Sequence, residues 1–547
     1  MKKIISVLLA AAFIMPLAAC GSDGSQGDGS GQMYNASLPG NPESLDPQFA
    51  DDAASNTVIS NLYSGLMSLD GSGNPVCRNA ASYEVSEDQL VYTFHLREDN
   101  YWFYDFSDDD IIDDGEYFPV TAKDYIFAFQ RLLDPEMHSP YAEMFSCIDG
   151  GEESLSGRTS AQDIAVTSTD DFTLIIRLAY PCADFINRLA TNAAVPCNEE
   201  FFLSTKGRYG LDDDSVMSNG AFFVRQWFYD PYGKNNILYM RQNKVNSNDE
   251  HRVYPSYLSF TIEKNDEDIA KLFKDGDIDC MTVTDSSAYS SKKYKKNAVR
   301  STTLGFIFNT GNKTCADMNF RKALALSIDR KSLDSKINSD VTAAGGIIPP
   351  AVKLLGRSYR ELSDDSPMSV TDKEQAAELI ESAKRSIGVE TFEQLKILMI
   401  SGTADSAYVH YVTQSWKESL GIYIGIEEVS AEEFEKRLED GEYQIALYPL
   451  KGCYNSGISA LESTVDCEYI RTSGEAKAAV AELWRCGNAS ELVEKYASCE
   501  KQILGEYGFI PLFYKNEYLI TKKECADIIF DPFSYSVCFR EAKYFDD

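Results

Sequence analysis

Histidine is scarce in this sequence, with four in 547 residues. His95, His138, His251 and His410 fall in neither H-E-x-x-H nor H-x-H spacing, so a histidine-based metal site has little to build on. No C-x-x-C occurs, which removes zinc ribbons and thioredoxin-like redox motifs. The G-x-S-x-G elbow, the G-x-x-x-x-G-K-[ST] phosphate loop and the G-x-G-x-x-G turn are also missing. A protein without a catalytic motif, metal or cofactor is expected, and a binder before an enzyme. Positive charge is the next shortage: 51 Lys and Arg stand against 85 Asp and Glu, a formal charge of -34. That field repels phosphate backbones and excludes a nucleic-acid partner. It also excludes attachment to an anionic membrane through a basic patch. Past residue 19 no apolar run approaches the roughly 18 residues of a spanning helix.

What is present begins at the N-terminus. Lys2 and Lys3 precede an apolar run over residues 4–19, the pattern of a secretory signal. The run ends in Leu17-Ala18-Ala19-Cys20, which resembles a bacterial lipobox. Residues 1–19 are expected to leave as a signal peptide, and Cys20 to carry the acyl chains that hold the protein on the lipid bilayer. Residues 20–32 would then be the lipidated cysteine and a Gly- and Ser-rich tether. The expected location is the membrane surface, facing the outside or periplasm. Twelve further cysteines could pair after export or stay as buried thiols, and both readings stay open.

The remaining chain is long enough for two or three domains, and its 44% hydrophobic content can fill their cores. Residues 92–97 alternate as a half-buried strand does, and residues 172–178, bounded by Asp170-Asp171 and Pro181, read as a second strand. Thr121-x-x-Asp124, Thr371-x-x-Glu374 and Ser430-x-x-Glu433 read as capping boxes that open helices, with Gly441 ending the last. A helix is expected from Asn319 through Arg330, and a strand over 443–448. The acidic runs at 108–114 and 212–214 lack calcium-loop spacing and read as solvated loops. The whole is a mixed α/β chain.

Several segments, in order, resemble the large extracytoplasmic solute-binding proteins of ABC transporters, in the peptide-, nickel- and oligopeptide-binding family. They are PESLDP at 42–47, NLYSGL at 61–66 with Asp70 and Gly73, AASYEVS at 80–86 and YTFHLR at 92–97. DGEYFPVTAKD at 114–124, QRLLDP at 130–135 and SNGAF at 218–222 follow. Phe308-Asn309, FRKALALSIDR at 320–330, IPP at 348–350 and IPLFY at 510–514 complete the series. The resemblance implies a two-lobed periplasmic-binding-protein-like fold with two crossing strands at the hinge. Lobe one would hold residues 33–303, with an extra subdomain at about 68–186. Lobe two would hold 304–508, and 509–547 would return to lobe one. It also implies a monomer that takes a peptide or other small solute between its lobes and passes it to ABC permease subunits. A signalling or adhesion protein that reuses this fold is the alternative.

Two departures from the family pattern carry consequences. Trp102 is separated from Asp114-Gly115 by an insertion over 103–113, either a surface loop or an added cleft rim. Peptide-binding members commonly hold the ligand's amine with an aspartate on a lobe-two loop. The corresponding stretch here, residues 448–455, has no Asp, and Lys451 is its only cation. Either another carboxylate supplies the anchor or the ligand is not a zwitterionic short peptide, since an unpaired buried ammonium is costly. Peptides held through their backbone need no end charges and form a third alternative. By the resemblance, the ligand-binding residues are Phe49, Ala50, Asn219, Phe222, Tyr448, Cys453, Tyr454, Asn455 and Tyr514.

Overall fold

A computed structural model describes residues 32–545 apart from 107–111, 234, 264, 338–339, 364–365 and 404. The chain builds two large hydrophobic cores. One is formed mainly by residues from 34 to 280 together with 519–542, and includes Val58, Phe94, Phe129, Phe222 and Phe539. The other is formed mainly by residues from 304 to 513 and includes Phe306, Phe320, Trp416, Tyr496 and Phe513.

The first core carries two four-stranded sheets. In one, the parallel pair Met33–Leu38 and Tyr257–Ile262 is followed by Ile237–Gln242 and Phe222–Phe228. The other is antiparallel, in the order Ala80–Val85, Val91–Leu96, Thr173–Arg177, Val166–Asp170. Both expected strands therefore lie in this second sheet, where Tyr92, Phe94 and Leu96 face the core. Helix Ala122–Leu132 covers this region, and its Asp124 carboxylate accepts from the Thr121 amide at 2.7 Å.

The second core surrounds a seven-stranded sheet that contains the two longest strands of the fold, Tyr294–Phe308 and Phe509–Lys522. These pair antiparallel from Tyr294↔Lys522 to Ile307↔Phe509, with shifts between Arg300 and Thr302 and between Leu304 and Gly305. One end of the pair is flanked by Cys280–Val283, the other by Ile445–Leu450. The pair is thus the continuous covalent and hydrogen-bonded link from one core to the other. A register shift is where such strands bend. Gly305 sits at the second shift, where a Cβ would lie 2.3 Å from the Phe509 ring, so the strands approach too closely for any side chain.

Local capping explains where helices differ from their sequence patterns. The segment expected as one helix to Arg330 is Met318–Leu326, after which Asp329 caps a second short helix, Arg330–Asp334. Ser327 donates back to the Leu324 carbonyl at 2.9 Å, a side-chain bond that competes with continuation. Asp372, not Thr371, caps Lys373–Ile387, while Thr371 donates to the Ile328 carbonyl at 3.0 Å. Ser430 caps Ala431–Glu439 as expected, and Gly441 follows at φ +67°.

Candidate functional site

Between the two cores lies a cavity of about 260 Å³. The first-core side of its wall comes from helix Ala53–Leu62, the 140–144 and 187–195 segments, and the C-terminal stretch 529–540. The second-core side is Cys453, Tyr454 and Asn455. Its lining is mixed, with Tyr63, Tyr141 and Met67 beside Asn56, Thr191 and Ser534. Such a surface offers apolar faces together with amide and hydroxyl groups, which suits a ligand with both backbone and side chains.

The loop at 451–455 is shaped by its neighbours. A Cβ at Gly452 would meet the Ser459 hydroxyl at 2.9 Å and the Ala460 nitrogen at 3.0 Å. The Cys453 amide donates to Ser459 Oγ at 2.9 Å, and Ser456 caps helix Gly457–Val465. This turn delivers Tyr454 into the first core, where its hydroxyl donates to Asp184 at 2.7 Å. Asn455 donates to the Gly73 carbonyl at 2.7 Å and accepts from the Lys353 amide at 2.8 Å. In the opposite direction, Phe533 from the C-terminal stretch joins the second core.

Asp184 is the centre of a buried group. It lies 3.5 Å from Arg188, and both side chains are almost fully excluded from solvent. Arg188 also donates to the Met144 carbonyl at 3.0 Å and stacks over Trp484, 4.0 Å from the ring centroid. Trp484 donates its indole N–H to Glu462. Burial raises the Glu462 carboxyl to about 7, against the lowering effect of that bond. Beside this group the Ala183 amide donates to the Cys486 carbonyl at 2.8 Å, and Arg485 reaches Glu152 at 3.4 Å. These contacts tie first-core segments at 152 and 183–188 to second-core segments at 462 and 484–486.

At the long strands a second buried group forms. Lys451 donates to both Glu517 oxygens at 3.0 Å and sits 3.1 Å from the Tyr535 ring centroid. Glu517 also accepts from Thr302 at 2.9 Å. Burial brings the Lys451 ammonium down to about 8 in spite of its partner. The one cation of the 448–455 loop is therefore committed to the hinge.

Of the nine residues expected from resemblance, Cys453, Tyr454 and Asn455 are on the cavity wall. Ala50 adjoins it, its carbonyl accepting from Tyr141 at 2.6 Å, and Phe49 lies under the Arg131 guanidinium. Asn219 is fully buried and brackets Ser64, accepting from its amide at 3.0 Å and donating to its carbonyl at 2.8 Å. Phe222 is in the first core, and Tyr448 packs with Tyr469 against the second. Tyr514 donates to the Gly346 carbonyl at 3.2 Å, off the cavity. The insertion's described residues Tyr104 and Phe106 pack on each other, and Tyr104 on Phe201, also off the cavity. Lining residues that sequence reasoning did not name include Tyr63, Tyr141, Asp531 and Arg540. Tyr63 lies within the 61–66 block, whereas Tyr141, Asp531 and Arg540 follow no local motif.

Among the described residues one group has metal-ligand spacing: Glu43, Asp51 and Asp52, with carboxylate oxygens within 4.8 Å. Asp52 already caps helix Ala53–Leu62, accepting from Ser55 at 2.8 Å. The twelve cysteines after Cys20 are free thiols. Cys20 itself lies outside the described residues. Among the described residues no helix is long and apolar enough to cross a membrane.

Comparison with known proteins agrees with this architecture. Residues 74–470 match the family described as bacterial extracellular solute-binding proteins, family 5 Middle. The oligopeptide-binding protein OppA of Bacillus subtilis is 27% identical over 481 residues, covering 84% of this chain and 84% of its own. The dipeptide-binding protein DppE of the same organism is 22% identical over 502 residues, 90% of this chain and 89% of its own. The solved structure of the pheromone receptor PrgZ superposes with a TM-score of 0.70 at 22% identity, covering 94% of this chain and 99% of that one. That likeness is one of fold. The family match spans well over half of the sequence, and the chain belongs to the bacterial extracellular solute-binding proteins of family 5.

Proposed function

We propose that this protein is a lipid-anchored receptor that captures a peptide or peptide-like solute between its lobes and delivers it to an ABC importer. The observation that carries the reading is the cavity walled by both cores, with Tyr454 and Asn455 reaching across it. A ligand enclosed there touches both lobes and so favours the closed arrangement, and ligand binding and closure become one equilibrium. The relatives bear names for oligopeptide and dipeptide binding, and this chain takes the same ligand class in this reading. Residues 33–303 with 509–547 form one moving body, 304–508 the other, and the paired long strands absorb the rotation between them. Phe49, Ala50, Asn219, Phe222, Tyr448, Cys453, Tyr454, Asn455 and Tyr514 serve the site by contact or by shaping its walls. The protein works as a monomer, by binding and not catalysis. The acylated Cys20 keeps it beside the permease on the outer face of the membrane.

Mass spectrometry of small molecules released on denaturing the natively purified protein tests this reading. Peptides in near-stoichiometric amount are expected. Release of no solute, together with no melting shift from any peptide pool, would sink it.

A further inference from the structure

The C-terminal stretch that lines the cavity carries two opposite charges with little local compensation. Its hairpin pairs Ile529–Asp531 with Ser536–Cys538, placing Asp531 near the tip and Arg540 two residues beyond the second strand. Both line the cavity.

Arg540 is 7% exposed, and its Nε has no hydrogen-bond partner. Its polar contacts are long: 3.4 Å to the Ser68 hydroxyl and 3.7 Å to Glu541, whose side chain is 55% exposed. Arg78 stands behind it, also with an unpartnered Nε, and shares only that same Glu541 at 4.0 Å. Burial, and next the charge of Arg540, bring Arg78 down to about 9. Two guanidinium groups thus share one weak, solvated counter-ion. A buried cation so poorly paired is costly unless an anion arrives.

Asp531 is the converse. Its oxygens accept from the Phe533 amide at 3.0 Å and from the Ser534 hydroxyl at 2.6 Å. Among the described residues no lysine or arginine forms an ion pair with it. Lys451, the cation whose field reaches it, is committed to Glu517. Burial raises the Asp531 carboxyl, as expected of a negative charge awaiting a partner.

Resting on the solute-binding reading above, we propose that the cavity holds a short zwitterionic peptide end to end along this hairpin. Asp531 takes its ammonium, and Arg540, backed by Arg78, takes its carboxylate. The amine anchor missing from the 448–455 loop is thereby supplied from the opposite lobe. Asp531 pairs with Ser536 across the hairpin, and Arg540 lies four residues further, in the turn beyond the strand's end at Cys538. The cavity, at about 260 Å³, lies just under the roughly 300–1,000 Å³ of sites for larger organic ligands, which limits the occupant to a short peptide.

The test uses the full chain and three pools of di- and tripeptides: free at both ends, C-amidated, and N-acetylated. Melting shifts and titration calorimetry give affinities. In the wild type, amidation and acetylation are each expected to weaken binding at least tenfold. Arg540→Gln is expected to weaken the free pool to the level of the amidated one and to change the amidated pool less than twofold. Asp531→Asn should do the same for acetylation. Blocked pools that bind the wild type as tightly as free ones would overturn the proposal and leave the solute-binding reading standing. An undiminished amidation penalty in Arg540→Gln would overturn the assignment of the carboxylate subsite. Failure of all three pools would overturn both readings. The wild-type comparison decides the zwitterion question without any variant having to fold.

Discussion

Two buried ionic groups join the lobes, and they differ in what else holds their members together. Lys451 and Glu517 meet beside the long strands, where Tyr294–Phe308 and Phe509–Lys522 are hydrogen-bonded from end to end. Tyr454 and Asp184 meet across the cavity, 270 residues apart, with no strand pairing between their segments. The proposed rotation about the long strands would leave the first group assembled, since both its members are on or beside those strands, and would part the second. In that reading the first stabilises open and closed forms alike, while the second contributes only when the lobes are together. The switch in that reading is the contact whose loss returns both partners to water, because only a differential interaction shifts a two-state equilibrium.

Asp184→Ala should give the largest effect and the first way to break this comparison. It removes the hydrogen bond from Tyr454 and also leaves Arg188 buried beside Trp484 without a carboxylate. Loss of one partner of a buried pair costs about 3–5 kcal/mol. Urea denaturation should show that loss, with a peptide affinity reduced further than stability alone requires. An unchanged midpoint would mean that Arg188 finds another partner, and that the second group is not built around Asp184.

How much of this was legible beforehand follows the range of the interactions. The strand at Val91–Leu96 and the cap at Ser430 are set by neighbours within a few residues, and alternation or spacing finds them. The end of Met318–Leu326 depends on a serine bonding backward, which the apolar pattern of residues 320–330 conceals. The site is harder. Tyr454 and Asn455 were reachable through a family loop, whereas Asp531 and Arg540 come to the cavity by a chain return from lobe two. Nothing local marks a carboxylate or guanidinium that lacks a partner, since partnership is settled only by the fold. Asn219 shows the reverse: a turn motif with polar side chains that the fold spends on Ser64.

A smaller effect sharpens the comparison through pH. Burial lifts the Glu462 carboxyl from 4.5 to about 7 on the lobe-two side of the switch. The folded protein then holds a proton that the unfolded chain has released. Stability falls as pH rises from about 4.5 and the loss is complete above about 7, amounting to at most roughly 3 kcal/mol. Glu462→Gln keeps an acceptor for the Trp484 indole and carries no charge. Its stability relative to the wild type should climb between pH 5 and 8 in parallel denaturation series. A pH-independent difference would show a carboxylate that ionises as it does in the unfolded chain, with no part in closure.

The smallest change is the most discriminating. Tyr454→Phe deletes one hydroxyl and leaves Asp184 beside Arg188, with Asn187 still donating to Asp184 at 3.0 Å. Hydrogen bonds to charged groups contribute about 1.5–3 kcal/mol, and in the open form both partners recover that in water. The substitution should therefore shift closure by about one to two powers of ten and hardly move the unfolding of lobe one. Small-angle scattering without ligand should register a larger radius, and peptide affinity should fall by the same factor as the closed population. A fall in lobe-one stability with no change in shape would place Tyr454 in the fixed core and not in the switch. The distinction between the two ionic groups would then rest on Asn455 and its bond to Gly73 alone.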